Sequence, residues 1–151
     1  MTSIHIEELA DKKGSLCCYS PWLRVTQEMI WGFADVTGDQ QWIHVDVERA
    51  TQESPWKSPV AHGYLTVSLI AQLNPKALTV TGSKATINYG LNKLRFPTAV
   101  IAGSEIRTKV LLVDVKIVDY QKYLATYQTT VEIKDDNKPA CVAENIVMYI
   151  T

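Results

Sequence analysis

The sequence predicts an α+β fold in which an antiparallel sheet wraps one long, buried helix. Three observations predict it. Tyr64–Leu73, YLTVSLIAQL, is apolar on nearly every side, broken only by Thr66, Ser68 and Gln72, and a helix of that kind is buried over most of its surface. From Tyr123 to Ile133 the odd positions read Tyr, Ala, Tyr, Thr, Val, Ile, while the even positions from Leu124 read Leu, Thr, Gln, Thr, Glu. That period of two marks a strand with one buried face. Ser104–Val118 and Pro139–Ile150 are β-rich runs joined to it by the turn-like Asp119-Tyr120-Gln121 and Asp135-Asp136-Asn137-Lys138, which makes a meander.

The remaining elements follow in chain order. Thr26 is placed to cap a first helix, because its hydroxyl can accept an otherwise unpaired amide hydrogen bond. Met29, Ile30, Phe33 and Ala34 then recur at helical spacing, and Gly38 suits the left-handed residue that ends such a helix. Asp46 is a second cap, ahead of a short helix through Glu48, Arg49 and Ala50. Residues 54–63, SPWKSPVAHG, form a loop with two prolines. Asn74 and Pro75 are expected to stop the central helix. No repeat or linker interrupts the chain, and residues 1–151 read as one domain.

Composition narrows the function. The net charge is −1, with no stretch that concentrates Lys or Arg, which argues against nucleic acid or an anionic membrane as partner. No apolar run approaches the ~18 residues of a membrane span, and Glu7, Glu8 and Asp11 are out of place in a signal peptide. Cys17, Cys18 and Cys141 have no CxxC spacing and read as reduced thiols. His5, His44 and His62 show no zinc-like spacing with them. A cytoplasmic protein without a bound metal is expected.

Two stretches carry chemistry. Asp39 falls just past a helix end, with His44 five residues later in a loop. An acid and an imidazole that converge on one water can exchange its protons, although such residues more often cap the chain or satisfy a neighbouring group. Gly63 opens the buried helix after His62. Its amide has no intrahelical partner, and a helix start favours negative charge such as an oxyanion. The plainer alternative is a chain turn at Gly63, with His62 capping or packing.

Together these stretches resemble the MaoC-like dehydratases, which include the (R)-specific enoyl-CoA hydratases. The resemblance rests on Phe33-Ala34, Thr37-Gly38-Asp39, His44 and Asp46, then Ala61-His62-Gly63 with Leu65-Thr66, then Asn88-Tyr89-Gly90 with Arg95-Phe96, and Gly103 with Arg107. The chain departs from the family's usual Asn-Pro at Gln41-Trp42, a form similar to the nodulation-protein-N-like branch. The resemblance implies the hot-dog fold, a homodimer with active sites near the subunit interface, and no cofactor. It implies an acyl-CoA or acyl-carrier thioester substrate, with Asp39, His44 and Gly63 catalytic. Gln41, Trp42, His62, Tyr64, Asn88, Tyr89, Gly90 and Arg95 are the residues it assigns to substrate binding. Gln41 would orient the water or Asp39, and ring packing by Trp42, in place of a stiff proline, would hold the loop. Tyr64 would shape the acyl pocket or pack as ordinary core, and Arg95 would meet a phosphate or a carboxylate. An acyl-CoA thioesterase and a non-catalytic acyl-thioester-binding subunit are the competing functions.

Overall fold

The computed structural model describes residues 2–151. It bears out the α+β arrangement: an antiparallel sheet on one side and a helix laid across it. The elements are β1 (Thr2–His5), two short 3-10 turns (Ile6–Glu8 and Ala10–Lys12), β2 (Cys17–Tyr19), β3 (Leu23–Arg24), α1 (Gln27–Thr37), α2 (Trp42–Val45), α3 (Val47–Glu53), α4 (Gly63–Ser68), α5 (Ile70–Ala77), β4 (Leu78–Thr81), β5 (Ala85–Arg95), β6 (Glu105–Asp119), β7 (Lys122–Ile133) and β8 (Cys141–Ile150).

The predicted caps are in place. Thr26 Oγ1 accepts from the Met29 amide at 3.4 Å. Gly38 ends α1 in the left-handed region at φ 78°, a conformation that costs glycine little. Asp46 Oδ1 accepts from the Arg49 amide at 3.0 Å and starts α3.

The meander is β6–β7–β8, with β5 on the far side of β8 and with β2 and β3 on β6. Residues of one phase face inward: Ile106, Thr108, Val110 and Leu112 on β6, and Ala125, Tyr127, Thr129, Val131 and Ile133 on β7. The short parallel pair of β1 with β4 was not expected.

The central helix differs from expectation in two ways. It is broken at Leu69 into α4 and α5, and it runs through Asn74 and Pro75 to Ala77. Pro75 removes one amide bond, to the Ala71 carbonyl. Both residues lie on the exposed side of α5, where water can serve that carbonyl. The helix also buries one face rather than most of its surface. Leu65, Leu69, Ile70 and Leu73 pack on Val25, Ile30, Ile106 and Val131, while Tyr64, Ser68, Ala71 and Gln72 are exposed. Truncating Leu73 to Ala would cost about 2–5 kcal/mol on the usual scale for buried leucines.

A second cluster lies under the end of α5, around Leu9, Leu78, Leu112, Tyr127 and Tyr149. There the two tyrosine hydroxyls bond at 2.9 Å. Among the described residues no helix is long and apolar enough to cross a membrane. The three cysteines are unpaired; Cys17 is exposed, and Cys18 and Cys141 are buried.

Candidate active site

The left-handed turn at Gly38 swings the chain off α1 and back across it. Two α1 side chains hold the returning segment by its backbone. Gln27 Nε2 donates to the His44 carbonyl at 2.8 Å, and Trp31 Nε1 donates to the Val45 carbonyl at 3.1 Å. His44 therefore sits in the one-turn helix α2, not in a loop as expected from sequence. The Gln41 carbonyl, accepting from the His44 and Val45 amides, closes that turn.

Residues 60–62 run alongside. The Val60 amide bonds to the Ile43 carbonyl, and the Ala61 amide to the Val100 carbonyl. This places Val60 opposite His44, whose Nδ1 lies 2.6 Å from the Val60 carbonyl. A carbonyl can only accept, so Nδ1 carries the proton and the neutral ring presents a free lone pair at Nε2. His44 is buried. That burial is the largest influence on its titration and pushes the imidazole below its ordinary value; the Val60 bond opposes it, His62 adds to it, and the Asp39 carboxylate opposes it.

Asp39, His44 and His62 each bring one side-chain atom to within 4.8 Å of the others. The two imidazoles stack, with centroids 3.8 Å apart and planes 25° from parallel. That geometry is unsuited to a shared metal ion. A metal about 2.0–2.1 Å from each nitrogen needs in-plane lone pairs that converge, and stacked rings send theirs side by side.

His62 is buried rather than turned toward a ligand. Its Nε2 donates to the Asp39 carbonyl at 3.0 Å, and Phe33 closes behind it. Gly63 is the first residue of α4, so its amide has no intrahelical acceptor. A Cβ built there would meet the Phe96 ring at 3.1 Å. Glycine at this position thus keeps room for Phe96.

His44 and Gly63 share a cleft of about 620 Å³ whose walls include Ile43, Trp56, Val60, Thr66, Phe96, Val100 and Lys138. The cleft can therefore hold one small group between an imidazole base and a helix-start amide, with the exposed Asp39 carboxylate beside the imidazole.

The other expected residues are spread more widely. Gln41 is exposed and, among the described residues, makes no side-chain bond to Asp39. Trp42 lies under the Arg49 guanidinium, 4.4 Å from the ring centroid. Tyr64 is exposed and meets Phe96 edge-on. Asn88 and Gly90 line a separate groove between β5 and the central helix, with Val67, Ser68, Ile70 and Ala71. Tyr89 is the residue skipped by the register shift between β5 and β8. Arg95 is exposed and donates to the Leu94 carbonyl. Sequence reasoning gave no site role to Gln27, Val60 or Phe96; Phe96 stands in a motif, but the contributions of all three are tertiary.

Residues 11–133 match the MaoC like domain, and the chain belongs to that family. Among its relatives is 3-hydroxyacyl-thioester dehydratase Z of Mycobacterium tuberculosis H37Rv, 46% identical over 145 residues and covering 96% of this chain and 95% of that one. Nodulation protein N of Rhizobium leguminosarum bv. viciae is 35% identical over 149 residues, covering 98% and 92%. In fold, the chain is similar to the R-hydratase PhaJ1 from Pseudomonas aeruginosa, with TM-score 0.72, 22% identity, and coverage of 94% of this chain and 84% of that one.

Proposed function

We propose that the protein interconverts trans-2-enoyl thioesters and (R)-3-hydroxyacyl thioesters by adding or removing water. One observation carries this reading: an imidazole with its free nitrogen fixed as Nε2 shares a cleft with the Gly63 amide, and a carboxylate stands beside that imidazole. The dehydratase name of the 46% identical relative supports the same reaction class.

In the hydration direction His44 Nε2 takes a proton from water. The water oxygen bonds to the β-carbon, and the π electrons move onto the thioester oxygen. The Gly63 amide stabilises that oxygen, a contribution that can reach ~3 kcal/mol for one such donor. The Asp39 carboxylate accepts a hydrogen bond from the hydrogen that stays on the water oxygen, and it steadies the imidazolium. His44 then returns its proton to the α-carbon and the carbonyl re-forms. Water and proton arrive from one side, so the addition is syn.

Two further expectations belong here. β5 pairs with β8 on one edge, and an open edge needs covering. Ile87, Tyr89 and Leu91 are exposed along this strand. Pairing of β5 with a second copy would give the homodimer that the family resemblance implies. The substrate would be an acyl-CoA or acyl-carrier thioester.

Crotonyl-CoA tests the reaction. Loss of the enoyl absorbance with formation of (R)-3-hydroxybutyryl-CoA is expected. An (S) product would break the stereochemical assignment, and release of free thiol without a hydroxyacyl product would replace hydration with thioester hydrolysis.

A further inference from the structure

His62 borders the Asp39 backbone, the His44 ring and the first turn of α4. Its Nε2 faces an acceptor, the Asp39 carbonyl at 3.0 Å, so the ring carries its proton there. Its face lies on His44, with centroids 3.8 Å apart. Its own carbonyl accepts from the Thr66 amide and hydroxyl at 3.0 and 3.2 Å, which pins the first turn of α4 where Gly63 follows. Its Nδ1 is buried and, among the described residues, has no partner.

A bare buried lone pair is destabilising, and a phenylalanine or leucine filling the same space would avoid it. Volume therefore does not explain a histidine here, whereas the bond to Asp39 does. The titratable groups that face the ring are His44 and Asp39; Phe33 of α1 and Thr66 of α4 carry no charge.

We propose that His62 is a positioning residue, whose Nε2–H fixes the segment bearing Asp39 and whose ring face fixes the plane of His44. The Asp39 segment and the His44 imidazole are thereby held beside the start of α4. His62 acts through its neighbours. The inference rests on the hydration reading above.

The test uses the whole chain and crotonyl-CoA. His62→Phe keeps the ring and removes the donor, and His62→Gln keeps a donor near Nε2 and removes the ring. In His62→Phe, kcat should fall on the order of 100-fold, as misplacement of reacting groups can cost, while KM changes less than about threefold. His62→Gln should recover at least about tenfold of that loss.

A His62→Phe enzyme with wild-type kcat overturns the proposal, and so do Phe and Gln variants that fall equally. Should the variants fail to fold, the ¹⁵N imidazole shifts of the wild-type protein decide. They should show the His62 ring as the Nε2–H tautomer, and an Nδ1–H tautomer overturns it. If Asp39→Asn keeps full turnover, the hydration reading fails. If Asp39→Asn is inactive and His62→Phe is not, the positioning role alone fails.

Discussion

The N-terminal end of α4 and the strand β5 differ in how far a single chain completes them. At α4 the imidazoles are buried, and their backbone partners come from Val60 and Asp39, with Gln27 holding the segment that carries His44. On β5 every residue but Leu94 is exposed. The contrast separates two tasks. The groups proposed to move protons are fixed by contacts within the chain, whereas Asn88, Tyr89 and Gly90 lie on an exposed strand.

The largest expected effect breaks the first region. Asp39→Asn and His44→Gln keep shape and remove proton chemistry, so each should cut turnover about 100-fold or more, with little change in the melting temperature. Near wild-type turnover in both folded variants would remove the proposed chemistry from this end of the molecule.

A second change is aimed at β5. Tyr89→Lys together with Leu91→Lys places charge on the open strand, which should oppose edge pairing. Light scattering should then report the 16.9 kDa chain in place of twice that mass. A wild-type protein that is monomeric at micromolar concentration would leave β5 without its proposed role.

The smallest effect is a pH dependence of the first region. Burial depresses the His44 pKa, so the neutral base persists below the ordinary ~6.5 and the acid limb of kcat/KM should lie beneath that value. For stability the sign follows from proton uptake. The unfolded chain binds the extra proton first as pH falls, so stability from this group is present above about pH 6.5 and is lost below it. Urea midpoints across that range measure it. An acid limb at or above neutral pH would contradict the buried, neutral imidazole.

Local chemistry was legible in the sequence and long-range chemistry was not. Thr26, Gly38 and Asp46 declare their roles within four residues, and the alternation of β7 fixes its buried face. The motifs placed Asp39, His44 and Gly63 at one end of the helix. β2 and β3, at three and two residues, are too short to show a period. Pro75 continues α5 because the carbonyl it leaves unpaired faces outward, and no sequence rule reports which face that is. His62 read as a ligand contact because the partner of its Nε2 lies 23 residues away.

The paired hydroxyls of Tyr127 and Tyr149 give the molecule an internal alkaline indicator. Burial is the main cause that raises both phenols above the ordinary value, while Tyr64, Tyr89 and Tyr120 stand exposed. In a spectrophotometric titration the buried pair should contribute a step that appears only as the chain opens. Stability from the buried pair holds below about pH 10 and drains away above it as the unfolded chain sheds those protons. The two tyrosines would thus report collapse under the end of α5 in the ultraviolet, without an added dye.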